Sequence, residues 1–486
     1  GDGAQPRVCL LPLMALIYYE VSGGPFGLED AVGAAGSMLT ILGLLVFPLV
    51  WCAPQALVAS ELIGMFPEDS GFVAWITHSF GRFLGFQEGL LLWTSGVADN
   101  ALYPVLILDY LTYVFPIFKM PACRQAATCF IILALTWVNY RGLHAVGMTA
   151  VWLAIFGLTP FIAIIFLGVP RLQPSLWNWQ VPSMKQLRTT DWGTFINILF
   201  WNLNSWDTAS TLAGEVDNPT NTFPRALKWT LLGVTAIYVV PLLVATGICI
   251  PDIQPGTCQA HSHWRDGYFA KVAFVLGGTF LQLWLIVAAA LSNIGLFLAD
   301  LSANSFLILG MAETGLLPAI FAKRSPYGTP LYGILLSSAG VYIFAMQSFT
   351  VIVEVLNCLY CLAVPLQFAA FLWFRWKRPN LHRPFQVPLP FWALVLLVIS
   401  ANAVMLFVLL QSRSIIFLLC CGVFLLGSVL YKLLGVASRR RWCRFHQQVP
   451  TTPPASEDCL MSGDEAVYAH SIGDVLVERC APQSPL

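Results

Sequence analysis

Tyr18-Tyr19-Glu20-Val21-Ser22-Gly23-Gly24-Pro25-Phe26-Gly27 interrupts an apolar run that begins at Leu10 and has the character of a first membrane-spanning helix. Glycine and proline both weaken a helix, and Pro25 also removes a backbone donor. Backbone amides and carbonyls left bare at membrane depth are tolerated only where they line a cavity or are buried in protein. The break therefore marks a polar site inside the membrane. Glu20, beside it, points to a ligand that carries positive charge.

The rest of the chain supports a membrane setting. It has 486 residues, of which 57% are hydrophobic and 10% charged, with a mean hydropathy of +0.73. Soluble proteins carry roughly 25% charged residues. The apolar runs are continuous over about 20 residues, whereas a membrane barrel alternates over about 10. This predicts an all-α polytopic membrane protein. Spans are expected at about 10–36, 38–65, 82–115, 125–141, 144–169, 192–214, 227–250, 267–303, 331–347, 350–374, 389–411 and 414–436, twelve in all, the first and sixth broken. No cleavable signal peptide is expected ahead of the first span.

Lys and Arg set the expected orientation. With the N-terminus inside, 17 of the 25 basic residues fall on the inner side, so both termini are expected in the cytoplasm. From Ser438 the chain turns polar, rich in Pro, Ser and acids, and is expected to be a mostly disordered tail. Zero net charge gives no reason to expect nucleic-acid binding. Most of the thirteen Cys lie in apolar runs, Cys249 among them, and read as small hydrophobes. Cys123 and Cys258 fall in expected outside loops and are candidates for a disulfide.

The sixth span repeats the theme of the first. Phe200-Trp201-Asn202-Leu203-Asn204-Ser205-Trp206-Asp207-Thr208 puts amides, an acid and two Trp at mid-membrane. Such residues compete with helical backbone bonding. Two interruptions five spans apart are the pattern of a five-plus-five inverted repeat, with substrate at the midplane between the broken helices. The expected organisation is a cytoplasmic segment 1–9, a transporter core 10–374 with repeats at about 10–169 and 192–374, two further spans in 375–436, and the tail 437–486.

These residues resemble a known family. Glu20 to Gly27 is similar to the first-span motif of the polyamine uptake transporters of plants and protists, within the amino acid–polyamine–organocation superfamily. Ser95 to Pro104, Phe200 to Asp207 running into Leu212 to Pro219, and Gly310-Met311-Ala312-Glu313 with Leu317-Pro318 and Ala322 to Ser325 fit the same family. The likeness covers roughly residues 10–435. It implies the twelve-span inverted-repeat fold and proton-driven uptake of putrescine, spermidine or spermine. It implies no cofactor and no obligatory heavy-chain partner.

A polyamine is a chain of ammonium groups with methylene spacers. It calls for spaced carboxylates and for aromatic faces. The candidate substrate residues are Glu20, Ser22, Gly23, Gly24, Asp99, Tyr103, Trp201, Asn202, Asn204, Trp206 and Asp207. Glu20, Asp99 and Asp207 are also the candidate proton carriers, because ionisable groups at membrane depth are costly and functional by default. The plainer reading of each acid is a neutral structural group bonded to Asn100, Asn202 or Asn204. Some proton-coupled relatives carry a lysine in span five. Span five here has none, which moves the proton role to the acids. Ser292 and Asn293 are the residues a sodium site would use. Glu354, at the start of span ten, is expected near the outer face, as a solvated helix end or as a group that draws cations in. Glu61 and Glu215 read as inner-gate or loop-structure residues, with Arg82, Arg141 or Arg225 as partners in an inner gate.

The alternatives are a transporter of cationic or neutral amino acids, which would use the Ser22 to Gly24 amides for a carboxylate, and a transporter-like receptor. An intramembrane enzyme would need a catalytic cluster, and no such motif is present; all seven His lie in loops, span ends or the tail. The plasma membrane is the expected location, with an endomembrane as the alternative.

Overall fold

The protein is described by a computed structural model over residues 7–177, 184–251, 258, 264, 265, 267–347 and 349–446. The tail beyond 446 and residues 1–6 lie outside the described residues. Among the described residues the chain is helical, with isolated bridges such as Val8 with Val216 in place of strands.

Nine helices among the described residues are long and apolar enough to cross a membrane. They form spans two (Ser37–Met65), three (Arg82–Val114), four (Pro121–Tyr140), five (Leu143–Gly168), seven (Pro219–Thr246), eight (Tyr268–Glu313), ten (Phe349–Lys377), eleven (Phe391–Gln411) and twelve (Ser414–Arg439). Span nine is the shorter apolar helix Leu331–Phe344. Spans one and six are each built from two pieces. Span one is Leu10–Val21 followed by Glu29–Ala35, and span six is Trp192–Asn202 followed by the 3-10 segment Thr208–Glu215.

Burial separates the centre from the rim. In spans three and ten, 67% and 72% of the apolar window is buried, against 11% in span four and 17% in span twelve. The rim helices turn Phe130, Phe166, Leu410 and Ile415 outward. Exposed apolar side chains on this scale are what hydrocarbon surroundings require of a membrane protein.

Span eight departs from its expected bounds. It runs ten residues past 303, to Glu313, and is kinked near its start, where Gly278 takes φ 67° and ψ −164°. Its later half is almost wholly buried, so polar residues from Asp300 onward sit within the bundle and not at a surface. The disulfide also differs from expectation. Cys258 pairs with Cys249, at the end of span seven, and Cys123 is free. Cys249 lies just beyond the last helical turn, close enough to reach the following loop.

Candidate functional site

The two breaks face each other at the centre. The first piece of span one ends at Val21, and Ser22 is extended, its N–H donating to the Tyr18 carbonyl (2.7 Å). Gly24 and Gly27 take φ +102° and +81°, a region that L side chains avoid. Gly27 also lies against the Trp201 indole, and its N–H donates to the Glu29 carboxylate (2.9 Å), which restarts the helix. In span six, Ser205 takes φ 66°, which costs about 1–3 kcal/mol in a residue other than glycine. Its N–H donates to the Tyr360 hydroxyl (3.1 Å) and its own hydroxyl to the Asn204 side chain (3.0 Å). Span eight holds the first break from the side. The Ser292 hydroxyl donates to the Gly23 carbonyl, and Gly295 lies so close under the Tyr19 ring that a Cβ has no room there.

Between the breaks lies a cavity of about 30 Å³. It has room for water but not for an extended organic cation. Three carboxylates line it: Glu20, Asp99 and Asp300. Asp99 is oriented by the Tyr103 hydroxyl (2.9 Å) and the Trp201 indole N–H (3.4 Å). Asp300 accepts from the Asn304 amide (3.0 Å) through one oxygen. Its other oxygen, and one oxygen of Glu20, have no hydrogen-bond partner among the described residues. The remaining lining includes Ser95, Asn204, Thr208, Thr211 and Tyr360, and no Lys, Arg or His among the described residues. Buried carboxylates without a positive partner are costly. The arrangement therefore calls for a cationic ligand or for protons.

The expected site residues separate into two groups. Glu20, Asp99 and Asn204 line the cavity. Tyr103 and Trp201 hold Asp99, and Ser22, Gly23 and Gly24 form the adjoining break. Asp207, Trp206 and Asn202 stand outside the lining. Asp207 accepts from Gln55 (2.8 Å), Tyr360 (2.7 Å) and Gln367 (2.7 Å). The Trp206 indole donates to the Leu203 carbonyl (3.0 Å), and the Asn202 amide donates to the Ile198 carbonyl (2.9 Å). The expected eighth span ends three residues after Asp300, which places that acid near a surface, whereas the helix runs on to Glu313. An acid at membrane depth is itself the signal that finds it.

Beyond the cavity, on the face opposite the N-terminus, a vestibule of about 370 Å³ is lined by Gly27, Asp30, Asn197, Trp201, Glu354, Asn357 and Gln411, among others. Trp201 lies in the vestibule wall and donates to Asp99, which lines the cavity. Glu354 accepts from Arg413 (2.6 Å).

The N-terminal face is closed. Arg324 reaches Asp69 (3.2 Å), Glu215 (2.5 Å) and Glu313 (3.4 Å). Burial works against the Arg324 charge, but the three carboxylates outweigh it and hold the guanidinium above its ordinary pKa. Beside this hub, the Val8 N–H donates to the Glu215 carbonyl (3.0 Å) and the Asp217 N–H to the Val8 carbonyl (3.0 Å). The expected partners differ. Arg82 donates to the Thr314 and Gly315 carbonyls, Arg141 stacks on Trp137 and Tyr327, and Glu61 pairs with Arg375 and Arg383.

Comparison with known proteins bears on this arrangement. A probable polyamine transporter of Arabidopsis thaliana is 46% identical over 467 residues, covering 95% of each chain. Polyamine transporter PUT1 of Oryza sativa subsp. japonica is 44% identical over 470 residues, 94% of this chain and 86% of its own. An arginine/ornithine antiporter of Latilactobacillus sakei is 24% identical over 357 residues, 70% of this chain and 71% of its own. The family model described as amino acid permease matches residues 11–426. With that match running from the first span into the twelfth, across both broken helices, the chain belongs to the amino acid permease family.

Proposed function

We propose that this protein is a secondary transporter of polyamines, carried with protons by alternating access. The observation that carries the reading is the cavity between the two breaks, with Glu20, Asp99 and Asp300 around it and no basic side chain in its lining among the described residues. Spaced carboxylates suit successive ammonium groups, and the Trp201 and Tyr103 rings beside Asp99 suit methylenes and cation–π contact. The relatives named as polyamine transporters support the same substrate class.

An amino acid substrate fits less well. Its carboxylate would need the amides of the first break, and two of these are engaged within it. The Ser22 N–H donates to the Tyr18 carbonyl, and the Gly24 N–H donates to the Ser22 hydroxyl (3.2 Å). Glu20 would also repel it.

The N-terminal face is assigned to the cytoplasm and the vestibule to the outside of a plasma membrane. The excess of Lys and Arg supports this orientation, as does the Cys249–Cys258 disulfide on the vestibule face, since such bonds persist in oxidising surroundings. A polyamine enters by the vestibule, moves Trp201 aside and sits among the three carboxylates. The Arg324 hub then opens to release it inward.

The test is uptake of radiolabelled putrescine and spermidine into proteoliposomes, with and without an inside-alkaline pH gradient, in the presence of excess leucine or arginine. Gradient-driven polyamine uptake indifferent to leucine is expected, and Asp300→Asn should raise KM about tenfold, the effect of losing one charged contact. Arginine or leucine uptake with no polyamine flux would overturn the reading.

A further inference from the structure

Asp207 belongs to a second acidic group, outside the lining of the cavity. One nitrogen, Nε2 of Gln367 on span ten, donates to the Asp207 carboxylate (2.7 Å) and also to Glu88 on span three (3.1 Å). Both acids are buried, and neither makes an ion pair among the described residues. The second oxygen of Glu88 has no hydrogen-bond partner among the described residues. Two carboxylates within reach of the same amide nitrogen, away from water and cations, cannot comfortably both be ionised, and such a pair shares its protons.

Among the described residues the surroundings offer no counter-charge. Tyr360 bonds Asp207, Cys52 donates to the Leu203 carbonyl of the same unwound segment, and Glu20 and Asp99 lie across the cavity. The nearest cations along spans three and ten are engaged elsewhere: Arg82 on the Thr314 and Gly315 carbonyls and Arg375 on Glu61. His78 stacks on Phe66.

We propose that the Asp207–Glu88 pair, bridged by Gln367, is the proton site of the transporter, distinct from the Glu20, Asp99 and Asp300 substrate site. It holds one proton between two carboxylates, and only an O–H bond is made or broken as that proton is taken up and released. Tyr360 connects the two sites. Its hydroxyl donates to Asp207, accepts from the Ser205 N–H at the second break and lines the substrate cavity. A substrate settling against Tyr360 disturbs the group that holds Asp207, so occupation and protonation are linked through one hydroxyl. Sequence order hides this pair, because Glu88 stands near the start of span three, far along the chain from Asp207.

This inference rests on the polyamine reading for its transport test, but not for its spectroscopic one. The full chain, purified and reconstituted, is assayed for putrescine counterflow without a pH gradient and for gradient-driven accumulation. Glu88→Gln should keep counterflow, with KM within about twofold of wild type, while losing the stimulation by the gradient. In parallel, infrared spectra at neutral pH should contain the carbonyl stretch of a protonated carboxylic acid, and Glu88→Gln and Asp207→Asn should each diminish it. Wild-type gradient stimulation in Glu88→Gln would overturn the proposal. So would loss of counterflow with the infrared band unchanged. If the wild type shows no putrescine counterflow, the substrate reading fails, and the infrared band alone decides the proton site.

Discussion

On the N-terminal face Arg324 ties Asp69, Glu215 and Glu313 together, whereas on the opposite face the path ends in an open vestibule with the Trp201 indole in its wall. The first closure is ionic and multiple, joining the loop after span two, the end of span six and the loop after span eight. The second includes an aromatic side chain, Trp201, whose indole N–H donates to Asp99 at 3.4 Å. Rotamer changes of a side chain take far less time than rearrangements of packed helices. The two ends therefore differ in what holds them: an aromatic side chain bonded to Asp99 stands in the wall on the vestibule face, and ion pairs join several elements on the other. Substitutions at each end test that contrast.

The largest expected effect lies behind the ionic closure. Glu61 is 1% exposed and pairs with Arg375 (2.6 Å) and Arg383 (3.2 Å) while accepting the Val387 N–H (2.9 Å). Removing one partner from a buried pair costs about 3–5 kcal/mol, because the remaining charges stay buried. Glu61→Ala should therefore lower the melting temperature in detergent markedly, more than any vestibule substitution. A melting point unchanged from wild type would mean that this face is not held by its charges.

Arg324→Ala comes next. The Arg324 side chain is about a third exposed, at 34%, so screening limits its pairs to about 1–3 kcal/mol together, enough to move a conformational balance about tenfold. The expected outcome is a protein that rests open toward the N-terminal face, with uptake reduced by a similar factor. The check is a cysteine at Thr211, which lines the cavity and is 1% exposed. An impermeant thiol reagent applied from the N-terminal face should label it faster in the Arg324→Ala background. Equal labelling would show that the Arg324 hub does not govern access.

The contrast between the ends also shows what a sequence can reveal. The two broken spans were legible because their signal is local: Gly23, Gly24, Pro25 and Gly27 in one, and Asn202, Asn204, Ser205 and Asp207 in the other, all inside apolar runs. Glu20, Asp99 and Asn204 were legible for the same reason, as polar groups too deep in the membrane to be idle. The ionic closure was not, because it joins residues as far apart as Asp69 and Arg324, and nothing along the chain selects Arg324 over Arg82, Arg141 or Arg225. Asp300 was lost to a boundary, since Ser302, Asn304 and Ser305 imitate the polar end of a span while being buried inside one. The Cys249–Cys258 bond was lost to another boundary, because Cys249 follows an apolar run without belonging to its helix.

Trp201→Ala should have a smaller and different effect. It joins vestibule to cavity and removes both an aromatic face and a donor to Asp99. A desolvated cation–π contact is worth about 2 kcal/mol or less, so KM for putrescine should rise up to about tenfold. The melting temperature should stay near wild type, because Trp201 is only partly buried. A fall in stability as large as that of Glu61→Ala would erase the difference between the two ends.

Glu354→Gln is the smallest of the series. Glu354 lines the vestibule beside Asp30 and Asn357, and its carboxylate is already answered by Arg413 at 2.6 Å. Both partners are substantially exposed, at 32% and 54%, so the pair adds little to stability. What it changes is the field at the entrance, because removing the acid leaves Arg413 uncompensated in the path of an arriving cation. Steering of this kind acts on the rate of arrival and fades with salt. The expected result is a two- to threefold loss of kcat/KM at low ionic strength, about the effect of one screened charge, that disappears at high salt. A loss that persists at high salt would mean that Glu354 contacts the substrate directly, and the vestibule would then be a binding site in its own right.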